Sequence, residues 1–291
     1  ELGGAGFRTG SVFRETMAMH VEMGSRRDGS RARRFEILRE LYTDVRAFEN
    51  NENAYGSRNL RELSASRADL EAMAKTLNEA LPVVFEVHRA SQIVRTVEFA
   101  RDQGLDPILI GATEAWQVRE MLAEYNVPVV VDPFANLPWD FDKLGARSDN
   151  AAMLAEAGVP VILSTFSTHN VRRLPQKVGN AVRAGLSRKE ALRAVTSRPA
   201  EVFGLQDYGR LERGARANVV VWSGDPFELS TDVERMFIGG KPVSLNHRQK
   251  ELFERYRTLK RRGEPAAENP DDEGGTSADE ERDDEADNRD E

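Results

Sequence analysis

Apolar residues recur along this chain in two alternating rhythms. Phe35, Leu38, Leu41, Val45 and Phe48 are spaced by three and four, which predicts a helix with one buried stripe. Leu70, Met73 and Leu77 mark a second helix, with Ser66 and Asp69 placed to cap it. A weaker pattern over Val12 to Met23, in a Gly- and Arg-rich opening segment, predicts a short helix. NNENAYGS at 50–57 reads as a loop.

Beyond residue 80 the rhythm changes. Short apolar runs at 82–88, 108–110, 127–131 and 159–163 predict strands, and the stretches at 91–103, 114–125 and 148–157 predict helices between them. Each run is bounded by Gly or Pro and is apolar throughout, as strands buried on both faces are. Strand–helix alternation of this kind implies βαβ units in a parallel sheet. A doubly wound open sheet is the alternative, disfavoured because no G-x-G-x-x-G follows any strand. Past residue 163 two helices follow. Ser187-x-x-Glu190 forms a capping box on the second, Leu192 and Val195 are expected to supply its apolar face, and Pro199 stops or kinks it. The texture then turns to β: a strand at 218–222, a hairpin at 235–243 around Gly239-Gly240, and a last helix from about 248 to 259 carrying Leu252, Phe253 and Tyr256.

Charge changes the picture at one end. The chain has 291 residues and a net charge of −8, but residues 264–291 alone hold 14 Asp and Glu against two Arg. The body is therefore close to neutral. That segment has no aromatic or branched aliphatic residue to offset the entropy of ordering, so 263–291 reads as a disordered acidic tail whose deletion leaves the melting temperature unchanged. Arg26, Arg27, Arg31, Arg33 and Arg34 form the only dense basic group and read as a solvated face, so no nucleic-acid partner is expected. No run of 18 apolar residues occurs, which excludes a membrane-spanning helix of that kind. Cysteine is absent, which removes disulfides, thiolate ligands and a cysteine nucleophile. No G-x-S-x-G, Walker loop or H-E-x-x-H is present, and the four histidines, His20, His88, His169 and His247, form no His-x-His. Trp116 and Trp222 are expected in the core and Trp139 in a loop beside a substrate mouth.

Several stretches together carry a resemblance: VVFEVHRASQIV (83–94), GATEAWQVREML (111–122), LAEAGVPVILSTFSTHNVRRLP (154–175), GLSRKEALRAVTSRPAEVFGL (185–205) and LERGARANVVVWSGDP (211–226). In this order they resemble the C-terminal half of an amidohydrolase-superfamily enzyme of the imidazolonepropionase-like kind. The resemblance implies an α/β fold, namely the C-terminal half of a (β/α)8 TIM-type barrel with part of a small β-sandwich. On it, residues 1–80 are a mostly helical part of the barrel region, 81–205 hold barrel strands five to eight, and 206–262 hold the sandwich return strands and a helix. The helical periodicity of residues 1–80 argues against barrel strands there. The chain opens on Glu1-Leu2-Gly3-Gly4, neither a signal peptide nor a targeting helix, and a longer reading frame is expected. Relatives of this kind are often exported.

The resemblance also implies chemistry. Such enzymes hydrolyse non-peptide C–N bonds, in cyclic amides or amidines, with water activated by a divalent metal, usually zinc. The usual ligands are His-x-His on strand one, a His on each of strands five and six, and an Asp on strand eight. His88 matches the strand-five ligand, and His169, in the loop after strand eight, is a second metal candidate. Glu114, Asn170, Arg172 and Arg173 are candidate substrate contacts, the arginines for an anionic group. Two expected ligands are replaced: Gly111-Ala112-Thr113 stands where the strand-six His belongs, and Phe166 where the strand-eight Asp belongs. The chain as it stands is thus expected to bind zinc no better than about micromolar and to lack measurable activity, because a catalytic zinc site needs three protein ligands. A pseudoenzyme of the same family, kept for binding or assembly, is the alternative. The expected partner is a small-molecule substrate, with room for a homo-oligomer.

Overall fold

Met19, Val21 and Met23 alternate with His20 and Glu22, and this period of two belongs to a strand. A computed structural model describes residues 16–24, 30–50, 63–246 and 248–257, and in it Met19–Glu22 forms β1 rather than part of a helix. The rest of the expected 12–23 helix apart from 16–24, most of the 50–57 loop, Arg26, Arg27, His247 and the acidic tail lie outside the described residues. The chain divides into two compact units, one ending at Val243 and the other starting at Ser244.

Four more strands join β1 in the first unit: β2 (Val83–Val87), β3 (Pro107–Gly111), β4 (Val129–Val131) and β5 (Val161–Leu163). They pair in the order β1-β2-β3-β4-β5, and every pair is parallel. A doubly wound sheet reverses its order at a switch point. This sheet runs in chain order with no reversal, as the strands of a (β/α)8 barrel do. Residues 1–80 therefore do contain one parallel strand, contrary to expectation. Its four residues are too few for periodicity to outweigh the long helix beside them, and pairing with β2 supplies what local sequence does not.

Helices α1 (Arg31–Asn50) and α2 (Arg67–Asn78) lie between β1 and β2, and α3 (Ala90–Gln103) between β2 and β3. A 3-10 turn at Ala115–Val118 and α4 (Arg119–Glu124) lead to β4, and α5 (Asn150–Glu156) leads to β5. After β5 come a 3-10 turn at Thr168–Arg173, then α6 (Leu174–Arg183), α7 (Arg188–Val195) and α8 (Ser197–Val202). Caps read from the sequence are in place: Ser66 Oγ accepts from the amide of Asp69, and Ser187 Oγ from that of Glu190.

The strand register sorts the sheet into two faces. Val21, Phe85, Leu109, Val129 and Val161 share one row. Most of this face packs into the main core beneath the helices, where Phe99 of α3 meets Phe35, Tyr42 and Phe85 at centroid distances of 6.0–6.5 Å. Glu22, Glu86, Ile110, Val130 and Ile162 share the opposite row. There Ile108, Val130 and Ile162 form a separate buried cluster with Val84, Ile110, Val202 and Phe203. This second face is apolar along most of its length and turns polar toward the C-terminal ends of β1 and β2, where Glu22, Glu86 and His88 stand.

Downstream, β6 (Val219–Trp222), β7 (Val233–Ile238) and β8 (Lys241–Val243) form an antiparallel sheet. Gly239 and Gly240 both take positive φ, 56° and 77°, in the two-residue turn between β7 and β8 that only such residues make easily. Two expectations are corrected. Trp222 and Trp116 are half-buried rather than in the core, Trp222 because its sheet is mostly exposed. On α7 Leu192 is exposed, whereas Ala191 and Ala194 are buried in the main core and Val195 packs partly buried against it. The second unit contains α9 (Arg248–Tyr256), which exposes Leu252, Phe253 and Tyr256.

Candidate functional site

Parallel strands of this kind end together, so the loops that follow them share one mouth. His88 is the first residue after β2, and the turn after β3 is built around it. Ala112 donates its amide to the carbonyl of Val87 (2.7 Å), and Glu114 donates its own to the carbonyl of His88 (2.9 Å). Thr113 Oγ1 lies 2.9 Å from His88 Nδ1. Glu114 Oε2 accepts from the amide of Ala90 (2.9 Å), the first residue of α3. Gly111 supplies the floor: a Cβ there would lie 2.4 Å from His88 Cε1, and its φ of +78° suits glycine. Ala112 follows at φ +39°, a strained value for a residue with a Cβ. Asn150 braces the turn, donating to the carbonyl of Ala112 and accepting from the amide of Trp116, both at 3.1 Å. Phe166, after β5, also has positive φ, 47°, so backbone strain occurs after two strands of this mouth, β3 and β5.

Above His88 is a cleft of about 130 Å³ lined by Glu22, Gly24, Glu86, Val87, Gln92, Asp140, Asp142 and Lys143. Glu86 Oε1 stands 3.9 Å from His88 Nε2, and Glu86 Oε2 stands 3.8 Å from His20 Nε2. One wall comes from the loop after β4. Asp142 is tied to Arg31 and to Arg89 Nε (3.1 Å), Arg89 also donates to the carbonyl of Phe141 (2.6 Å), and Lys143 pairs with Asp140 at 3.5 Å. The loop turns its acids inward and its large apolar residues outward, with Trp139 and Phe141 75% and 80% exposed. Burial lowers the His88 pKa below the ordinary histidine value, Lys143 lowers it further, and Glu86, Asp140 and Asp142 pull the other way. For Asp140, burial is outweighed by the amide of Asp142 and by Lys143, which hold the carboxyl below its usual range.

The other sequence candidates lie elsewhere. His169, Arg172 and Arg173 are exposed on the 3-10 turn after β5, and Asn170 Nδ2 donates to Ser167 Oγ (3.1 Å) on that same turn. None of the four lines the His88 cleft. Glu114 holds α3, as described. Trp139 is on the wall loop, as expected. Sequence reasoning missed Glu22, Asp140, Asp142 and Lys143. The signal was the D-x-D-K run after a strand end, where side chains of a barrel mouth arise. A second polar pair was also missed: Asp132, just past β4, is bound 2.5 Å from Lys177 of α6, and both side chains are nearly buried. Among the described residues, no three His, Asp or Glu side chains are grouped so as to hold a metal ion.

A model of the amidohydrolase family matches residues 27–244. A crystal structure of an amidohydrolase from Thermotoga maritima superposes with a TM-score of 0.72 at 24% identity, over 80% of this chain and 64% of that one. The chain thus spans less than two thirds of that relative, and the likeness shows the fold. Another amidohydrolase structure aligns at 21% identity and TM-score 0.48, over 60% of this chain and 47% of its own. A prolidase complexed with N-methylphosphonate-L-proline aligns at 18% and 0.46, over 58% and 47%. No curated protein matches significantly.

Proposed function

The chain belongs to the amidohydrolase family, and from that premise we propose that it derives from hydrolases of carbon–nitrogen bonds other than peptide bonds. A cyclic amide or amidine is the substrate class, and the mouth around His88 is the reacting side. The observation that carries this reading is the seating of His88: a half-buried imidazole at a strand end, held by Gly111, Thr113 and Glu114 of the next strand's turn, with Nε2 left toward a cleft. Such fixing of one ring is what a chemical role requires and what a packing role does not. On this reading Asn170, Arg172 and Arg173, on the 3-10 turn after β5 and outside the His88 cleft, are candidate contacts for an anionic group of the substrate. The β6–β8 sheet is read as part of the small sandwich that accompanies barrels of this family.

Membership in the family implies a divalent metal, with zinc the expected ion. The described residues do not fit one. The carboxylate beside His88 Nε2 stands 3.9 Å off, Asp142 and Asp140 are held by Arg31, Arg89 and Lys143, and His169 is not in the cleft. A catalytic zinc site takes three protein ligands at about 2 Å. This shortfall favours a second reading, a catalytically impaired family member that retains binding. Ring opening of cyclic amides and amidines by the purified chain, followed by chromatography with and without zinc, separates the two. Turnover that disappears in His88→Ala supports the hydrolase. Absence of turnover across the panel sinks it and leaves the binding reading.

A further inference from the structure

Hydrogen-bond accounting at His88 fixes which face of its chemistry the cleft meets. Thr113 is 3% exposed, and its hydroxyl has one proton to place. Among the described residues His88 Nδ1 is the only hydrogen-bond partner of that hydroxyl. Were Nδ1 protonated, the Thr113 proton would be left buried without an acceptor, an arrangement folded proteins avoid. The hydroxyl therefore donates to the Nδ1 lone pair, and in a neutral ring the proton then sits on Nε2. The surroundings agree. Asp142 is held by Arg31 and Arg89 and Asp140 by Lys143, but Glu86 Oε1 stands 3.9 Å from Nε2, and a carboxylate there favours an N–H pointing in over a bare lone pair.

We propose that the Gly111–Glu114 turn locks His88 in the Nε2–H form, so that the cleft offers a hydrogen-bond donor to an acceptor oxygen of the ligand instead of a lone pair to a metal ion. Given the carbon–nitrogen hydrolase reading, on which this identity rests, that oxygen is the carbonyl of an amide. A neutral imidazole donor polarises a carbonyl without transferring its proton. Thr113 and Gly111 are positioning residues in this arrangement: Thr113 sets the tautomer, and Gly111 leaves the space that the ring occupies.

The test is nitrogen NMR of the full chain labelled at histidine, near neutral pH, with His88→Ala used to assign the signal. The expected spectrum has Nε2 of His88 protonated and Nδ1 unprotonated, with Nδ1 shifted by the bond it accepts. Thr113→Val should move Nδ1 to the position of a free ring nitrogen, and Thr113→Ser should restore it, a pattern that mere loosening of the fold would not give. Saturating 2-pyrrolidinone, a simple cyclic amide, should shift the Nε2–H proton. A protonated Nδ1 in the unmodified chain, or an Nδ1 signal indifferent to Thr113→Val, would overturn the lock. An Nε2–H unmoved by the amide would overturn the carbonyl role. Stoichiometric nanomolar zinc binding lost in His88→Ala would overturn both. These readouts are independent of turnover, so an inactive chain with the expected spectrum would sink the hydrolase reading and leave the lock standing.

Discussion

At Gly111 two constraints coincide, a φ of +78° and a ring 2.4 Å from where a Cβ would be. Gly111→Ala should therefore cost about 1–3 kcal/mol, the range of a residue forced into an unfavourable backbone region, readable as a lower urea midpoint. His88 itself titrates against the fold. Its folded pKa lies below the ordinary value of 6.5, so the neutral form is favoured in the native state. The stability this confers is complete above the ordinary value and is lost as pH falls through the folded one. Urea unfolding on either side of that window should show a larger loss in the natural chain than in His88→Gln; equal losses would mean that the ring is not buried as described. Lys177 makes a third case. Its pair with Asp132 is nearly buried, and the ammonium also lies 5.1 Å from the centroid of Phe134. Lys177→Met strands a carboxylate, which should cost about 3–5 kcal/mol, while Lys177→Met with Asp132→Asn should recover much of it. Neither residue was legible as a pair in the sequence, because 45 positions separate them and only the approach of α6 to the end of β4 joins them.

At the scale of elements, what was local was legible. The caps at Ser66 and Ser187 and the Gly239-Gly240 turn depend on neighbours within a few residues, and all three could be read directly from the chain. Ser187→Ala should cost about 1 kcal/mol in thermal or chemical unfolding, since the amide of Glu190 loses its acceptor. What depended on partners was not legible. β1 exists because Met19, His20, Val21 and Glu22 pair with Val83 to Glu86. Alone, four alternating residues beside a 20-residue helix carry little weight. On α7 the apolar pattern locates Val195 but not the whole buried face: Leu192 stays exposed, and the small Ala191 and Ala194 are the residues that fit against the core. His88 was found because it ends a strong strand, whereas the acids of its cleft belong to a loop without periodicity.

For the molecule as a whole, the sheet grades from centre to edge. β2 and β3 are each paired on both sides and share five residue pairs, whereas β1 among the described residues pairs only with β2. Amide hydrogen exchange should therefore be slowest over β2 and β3 and markedly faster over β1, because edge pairing opens without disturbing the core. Comparable protection on β1 would show that something covers its free edge. Chain-order pairing was inferable from the even strand–helix alternation, and the absence of a glycine-rich nucleotide loop pointed away from a doubly wound sheet. Strand number was not inferable, because the first strand is short and half polar.

The grip of Gly111 to Glu114 on Val87 to Ala90 also limits how this chain can change. An imidazole introduced at Thr113 would remove the hydroxyl that holds His88, and one introduced at Gly111 would occupy the space of its ring. Either single replacement meant to add a second histidine therefore unseats the first. At these two positions a second histidine can be added only together with compensating changes around His88, so stepwise mutation and rational redesign meet the same barrier there.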